Sequence, residues 1–355
     1  MKKLLKVSLV CSVLLLNISR GFGQGPPPKS IVLMVSDGTG LAHISAVHYS
    51  APDFQFPRFP VIGLFTTHSL DRIITDSAAG ATAFAAGMKT NNGMLSMLPD
   101  GTTPKTILER AEEAGMATGL VATSQLTHAT PAAFASHVKS RSMEMEIARQ
   151  MAAGDIEVLL GGGQKFFLTN DRGGNLMQQM TRRGYTYLDN RETLEAFDTE
   201  RNDKVLGLFA ESGMRPALEG RLPLSLMARK AVETLDNDPD GFFMMIEASQ
   251  VDWEAHDNDG PGVLAEMEDM QDALRWLLDY QATHPDLLVV WVADHETGGM
   301  AVNSGNNELE LGFATGGHTA QMIPAFAIGP QAERFAGVYD NTDIGKILQS
   351  LLARD

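Results

Sequence analysis

The chain has 355 residues, 44% of them hydrophobic, with 34 glycines and a single cysteine, and its 28 Lys+Arg against 44 Asp+Glu give a formal charge of −16. That composition excludes the disordered, collagen-like and disulfide-scaffold classes. The charge argues against a nucleic acid or an anionic membrane surface as the partner.

In chain order, Met1 to Gly23 combines a basic start (Lys2, Lys3, Lys6), a mostly apolar run from Val7 to Leu16 and a small-x-small end at Gly21-Phe22-Gly23. This pattern predicts a removable secretory leader, too short to span a bilayer. Its four basic and no acidic residues leave with it, which moves the formal charge from −16 to −20, and Cys11 leaves too. A lipid on Cys11 is opposed by Val10, which is not small, and by the apolar run that continues past it. Residues 24–355 are then expected to form a single domain without disulfides, exported to the periplasm or the medium. No later run approaches the ~20 apolar residues of a membrane span.

After the stiff Gly25-Pro-Pro-Pro28 segment, short apolar runs recur between Gly, Asp or Pro: Ile31 to Val35, Gly119 to Ala122, Ile156 to Leu160, Phe242 to Ile246, Leu287 to Ala293 and Ile323 to Ile328. They predict buried strands. Helical spacing lies between them. Val263, Leu264, Met267, Met270, Leu274, Leu277 and Leu278 mark one apolar face, with Glu266, Asp269, Asp272 and Arg275 elsewhere on the turn. Pro104 to Ala114, Met143 to Met151, Pro223 to Leu235 and Asp343 to Leu352 read likewise, the first with Pro at its opening position and Gly115 after its end. The polar stretch Asn170 to Gly220 has the weakest pattern and is expected to form a surface subdomain. Alternating strands and helices predict an α/β three-layer sandwich around a largely parallel sheet.

Ligands of such sheets gather beyond the carboxyl ends of strands. There the sequence places Ser36-Asp37-Gly38, then Glu247 with Asp252 and His256 soon after, then Asp294-His295. One Asp at a strand end is ordinarily a turn or cap residue; three such ends offering Asp, Glu and His point to a metal centre. Asp252 and His256 share one side of a helical turn. Asp294 and His295 converge only if the chain leaves the sheet, as Glu296-Thr297-Gly298-Gly299 indicates. His318 lies on a glycine-rich, flexible loop, and His43, His48, His68, His137 and His284 read as structural or exposed. Ser77 opens an Ala-rich helix with Asp76 as its N-cap, where free N–H groups favour an anion, and no cysteine or G-x-S-x-G elbow competes as nucleophile. Gly161-Gly162-Gly163, without G-K-[ST], reads as a structural turn.

Val35-Ser-Asp37-Gly, Thr75-Asp-Ser77-Ala-Ala-Gly-Ala-Thr82, Thr127-His-Ala-Thr130-Pro-Ala, Glu247-x4-Asp252-x3-His256, Asp294-His295-Glu-Thr-Gly-Gly and Gly316-Gly-His318 together resemble the metal-dependent alkaline phosphatase family, in that family's order and from Ile31 to about Pro330. The resemblance implies Ser77 as the residue phosphorylated in a covalent intermediate and Arg141, eleven residues after Thr130, as a bidentate phosphate clamp. It implies Asp252, His256 and His318 on one zinc ion and Asp37, Asp294 and His295 on a second. Asp37, Glu247 and the Thr130 hydroxyl would hold a third ion, magnesium, which suits that oxygen set.

With four carboxylates, three divalent ions, Arg141 and an ionised Ser77, the pocket would carry about +2, which a phosphate monoester dianion cancels. The implied substrates are small phosphate monoesters, with broad specificity and an alkaline optimum, and a homodimer is a family-level expectation. His128 and Trp253 depart from members that carry Asp and Lys there; both are expected to flank the ligands, His128 beside the third ion and Trp253 either at the phosphate pocket or in packing. A phosphodiesterase of the same superfamily is the alternative, opposed by Arg141 and the Thr130/Glu247 set. A sulfatase is excluded by the lack of a mature-chain cysteine or C-x-P-x-R segment.

Overall fold

The computed structural model describes residues 25–168, 174–201, 203–305 and 308–352. The expected leader lies outside them. Continuous apolar runs become strands buried on both faces, as a covered parallel sheet requires. In chain order the elements are β1 (Ser30–Ser36), α1 (Leu41–Ser50), β2 (Val61–Thr66), α2 (Ser77–Ala86), α3 (Ile107–Glu113), β3 (Ala117–Gln125), α4 (Ala129–Ala135), α5 (Glu144–Ala153), β4 (Val158–Gly162), α6 (Gln164–Leu168), α7 (Leu176–Arg182), β5 (Thr186–Leu188), α8 (Arg191–Ala196) and β6 (Val205–Leu208). There follow α9 (Leu224–Leu235), β7 (Phe242–Ala248), α10 (Gln250–His256), α11 (Gly260–Thr283), β8 (Leu287–Val292), β9 (Glu296–Thr297), β10 (Ala301–Gly305), β11 (Glu308–Gly312), β12 (His318–Thr319), β13 (Ile323–Ile328), β14 (Gly337–Asp340) and α12 (Asn341–Leu352).

Ten strands form one sheet in the order β14-β2-β13-β8-β1-β7-β3-β4-β6-β5. Only β13 runs against the rest, pairing antiparallel with both β8 and β2. Helices α1, α9 and α11 pack together on one face, and α2, α3, α4 and α12 on the other, which gives the three expected layers. All six expected strands are present. The sheet also takes up β2, β5, β6 and β14.

Three local expectations are corrected. The stretch 170–220 is no separate subdomain, because β5 and β6 extend the central sheet, β6 pairing with β4. The helix expected from Pro104 begins at Ile107, since Thr106 caps it in a reciprocal capping box with Glu109. Gly115 does follow its end, in the left-handed region at φ 77°. On α11 the apolar face is buried as expected, but Glu266 is buried with it, because Arg221 donates to it at 2.6 Å and to Asp269 at 2.6 Å. Among the described residues no helix is long and apolar enough to cross a membrane.

Candidate active site

The centre of the sheet delivers the site. Asp37 follows β1, Glu247 lies near the end of β7, and Asp294 and His295 follow β8, where the chain does leave the sheet. Asp37, Glu247, Asp294 and His295 are fully buried. Asp252 and His256 sit on α10, and His318 begins β12, a two-residue bridge to Thr297 where a flexible loop was expected. Gly38 turns the chain after β1 at φ 74°, and a Cβ there would lie 2.6 Å from Asp252 Cα, so glycine lets the two ligand-bearing segments touch. Gly161 and Gly162 end β4 instead of forming the expected turn, which is left to Gly163 at φ 106°; their role is structural, a Cβ at Gly162 lying 2.0 Å from the Ser212 carbonyl oxygen.

Ser77 is the first residue of α2. Asp76 caps that helix, its Oδ1 accepting the Ala79 N–H at 3.0 Å, and Ser77 Oγ lies 3.3 Å from His295 Nε2. His295 Nε2 is 3.3 Å from Asp294 Oδ2 and 3.5 Å from Asp37 Oδ1. In the neighbouring cluster, Asp252 Oδ1 stands 3.4 Å from His256 Nε2 and 3.5 Å from His318 Nε2, and the two imidazole nitrogens are 3.1 Å apart. The His295 and His318 rings stack at 3.6 Å, so the two clusters adjoin.

These donors fit metal ions. His256 Nδ1 lies 2.7 Å from the Gly316 carbonyl oxygen and His318 Nδ1 2.9 Å from that of Thr75. Each bond places the ring proton on Nδ1 and turns a lone pair on Nε2 toward the other imidazole and the Asp252 carboxylate, an arrangement that a cation between them satisfies. Both Asp37 oxygens, Asp294 Oδ2 and Glu247 Oε1 are buried without a hydrogen-bond partner. Burial, with Asp294 and Asp252 beside it, raises the Asp37 carboxyl well above its usual range. Burial pushes Asp294 up to about 6 and Glu247 to about 7. It also lowers the His295 imidazole well below its ordinary value, which keeps that ring neutral as a ligand must be.

The third cluster contains more than the expected oxygens. A ring nitrogen of His128 falls within 4.8 Å of Asp37 and Glu247 donor atoms, closer than a merely flanking position. His128 Nε2 accepts from Arg141 Nη2 at 3.0 Å, and burial, then Arg141, lowers its pKa to about 3. Thr130, in the first turn of α4, is buried beside Glu247. Arg141 Nη1 reaches Asp76 Oδ2 at 3.3 Å, and Asp76 immediately precedes Ser77. Trp253 packs edge-on to His128 at 5.8 Å and against Gly213.

Sequence reasoning missed three supports. Thr297 donates its hydroxyl to Asp252 Oδ1, and Ser124 and Ser249 donate to Glu247 Oε2 at 3.1 and 2.6 Å. Thr297 lies within the Asp294-to-Gly299 motif, whereas no pattern in the sequence marks the two serines. Of the histidines set aside, His43 is buried with Nδ1 accepting the Gly40 N–H, His68 and His284 face Asp340 and Asp236, and His48 packs on Phe54.

An alkaline phosphatase family model matches residues 28–312. Alkaline phosphatase 3 of Bacillus subtilis is 32% identical, the alignment covering 97% of this chain and 96% of that protein. The structure of alkaline phosphatase from the Antarctic bacterium TAB5 superposes with a TM-score of 0.89 at 35% identity, over 93% of this chain and 99% of that one. A variant of that protein with glutamate in place of one histidine, described with magnesium bound in its M3 site, gives 0.87 at 34% identity over the same shares.

Proposed function

Because the chain belongs to the alkaline phosphatase family and is thereby a metal-binding phosphomonoesterase, we propose that it works through a phosphoserine on Ser77. The observation that carries this reading is the Ser77 hydroxyl, 3.3 Å from His295 Nε2, beside the buried donor clusters. Asp252, His256 and His318 would hold one zinc ion, Asp37, Asp294 and His295 a second, and Asp37, Glu247 and Thr130 a magnesium ion. When bound, such ions supply Lewis acidity that lowers the pKa of the serine hydroxyl and of a water molecule.

The chain's own groups do the rest. Ser77 Oγ attacks phosphorus opposite the alcohol oxygen; the P–O bond to the alcohol breaks, and the serine proton ends on the departing alcohol. Water then attacks the phosphoserine from the face the alcohol left, Ser77 recovers a proton, and inorganic phosphate is released. Arg141, aimed by Asp76 and His128, binds two phosphoryl oxygens through both steps, and the free N–H groups of the first turn of α2 favour the same anion. Substrates are small phosphate monoesters of varied alcohols.

We place the catalytic domain at residues 24–355, after a cleaved leader at 1–23 and export to the periplasm or medium, and expect a homodimer. A phosphodiesterase is not favoured. The test is labelling with radioactive phosphate, metal analysis and turnover of a monoester and a diester of one alcohol, before and after chelation. Stoichiometric labelling lost in Ser77→Ala, and monoester turnover lost on chelation, are expected. Full turnover by Ser77→Ala would refute the assignment.

A further inference from the structure

His137 lies outside the donor clusters, yet it is tightly built into the structure. Its Nδ1 is 2.6 Å from the Ser96 carbonyl oxygen and its Nε2 is 2.9 Å from Glu109 Oε1. Both partners are acceptors. A neutral imidazole carries one N–H, so both bonds form together only in the imidazolium. Glu109 is fixed by its capping box, Oε2 accepting the Thr106 N–H at 2.8 Å. Ser96 holds a left-handed backbone at φ 41°, with its N–H on Thr82 Oγ1 and its hydroxyl on the Ala133 carbonyl. A non-glycine residue keeps that conformation only where its surroundings impose it.

The clip leads directly to Arg141. Leu95 and Val138 exchange both backbone hydrogen bonds, and the Arg141 N–H donates to the Gly93 carbonyl at 2.7 Å. The Gly93 N–H in turn donates to Asp76 Oδ2, the oxygen that Arg141 Nη1 also reaches. Segments 93–96 and 137–141 therefore form one unit against the start of α2, with Arg141 at its active-site end and His137 at the other.

We propose that His137 is a positioning residue for phosphate binding: its imidazolium, bridging Glu109 and the Ser96 carbonyl, pins the Arg141 segment in register beside Ser77. This rests on the reading of Arg141 as the phosphate clamp. The charged and titratable neighbours are few. Helix α3 presents Glu109; α5 presents the neutral Gln150, which bonds the His137 N–H and C=O, while its Glu146 and Arg149 pair with each other. The 93–96 segment presents its backbone, and Lys139 and Arg141 follow His137 on its own segment.

The bond to Glu109 raises the imidazole pKa against the opposing pull of burial. On the glutamate, burial pushes upward, and the bonds from His137 and Thr106 outweigh it and hold the carboxyl below its usual range. The clip is thus whole below pH ~6.5, the ordinary histidine value, and is lost as pH rises through the raised one. A looser Arg141 at alkaline pH would hold product phosphate less tightly and speed its departure.

The test is the inhibition constant of inorganic phosphate against pH, as a ratio to the unmodified enzyme at each pH so that phosphate's own ionisation cancels. His137→Ala should raise it roughly tenfold at pH 6.5, the worth of one charged hydrogen bond, with the difference shrinking as pH rises. Glu109→Gln is the complementary variant. Its amide oxygen can still accept from Thr106 and its NH2 can donate to a neutral His137, so it should stay tight at pH 9, where the unmodified enzyme has weakened. Either variant tracking the unmodified enzyme at every pH, even with a lower Tm, overturns the proposal. Arg141→Ala, run alongside, isolates the premise: an unchanged constant there would sink the clamp itself.

Discussion

Gly38 has no room for a methyl group and carries a backbone angle that only glycine holds without cost. Gly38→Ala should therefore lose roughly 2–4 kcal/mol from the left-handed backbone and the overlap with Asp252. It should also bind less zinc, read by urea midpoint and metal analysis together; full zinc content at an unchanged midpoint would contradict this. His128 sets a second residue-level expectation. Its imidazole puts nitrogen into a cluster whose other donors are oxygen, and magnesium prefers oxygen. His128→Asp should strengthen magnesium binding by about tenfold or more, measured by calorimetry on the chelated protein. The proximity of His128 to Asp37 and Glu247 was not legible in the sequence, which gave only its position two residues before Thr130. Asp37, Asp252, His256, Asp294 and His295 were legible as candidate metal ligands, because strand ends and helical spacing bring such side chains to one edge of the sheet; His318 was marked only by its glycine-rich surroundings, and its place in a β-bridge to Thr297 was not legible.

At the scale of elements, the strands buried on both faces could be read directly, since β1, β7 and β8 are unbroken apolar runs. The edge strands could not. The Val61–Thr66 strand is half-buried and interrupted by Gly63, and β5 is three residues long, so neighbours rather than composition make them strands. Glu266 was misjudged for a related reason: helical periodicity ranks faces by apolarity and is blind to Arg221 arriving from a distant loop. Helix α3 carries a further test. Burial, with Glu157 beside it, pushes the Glu112 carboxyl up to about 7. A raised carboxyl pKa favours the folded state while the group is protonated, and that benefit is lost as pH rises from about 4.5 through 7. Glu112→Gln should then raise Tm by roughly 1–3 °C at pH 9 and leave it unchanged at pH 4. Scanning calorimetry at both values checks this, and a shift of equal size at both would point to packing.

For the whole molecule, buried carboxylates and cations are thermodynamically linked. With metal removed, Asp294 and Glu247 take up protons in the folded chain at pH values where the unfolded chain has released them, between about 4 and 7. The chelated protein should lose Tm as pH rises through that window. The loaded protein should gain it, because metal ions compete with those protons. Thermal melts across pH 4–8, with and without chelator, distinguish the two slopes; parallel slopes would mean that the carboxylates do not hold the ions. One further consequence follows from strand order. β1 is met early in the chain, but both of its partners, β7 and β8, come more than two hundred residues later. A polypeptide leaving the ribosome amino end first therefore keeps this apolar ribbon without its sheet neighbours until most of its length exists, so the nascent chain cannot prematurely lock into its final compact shape.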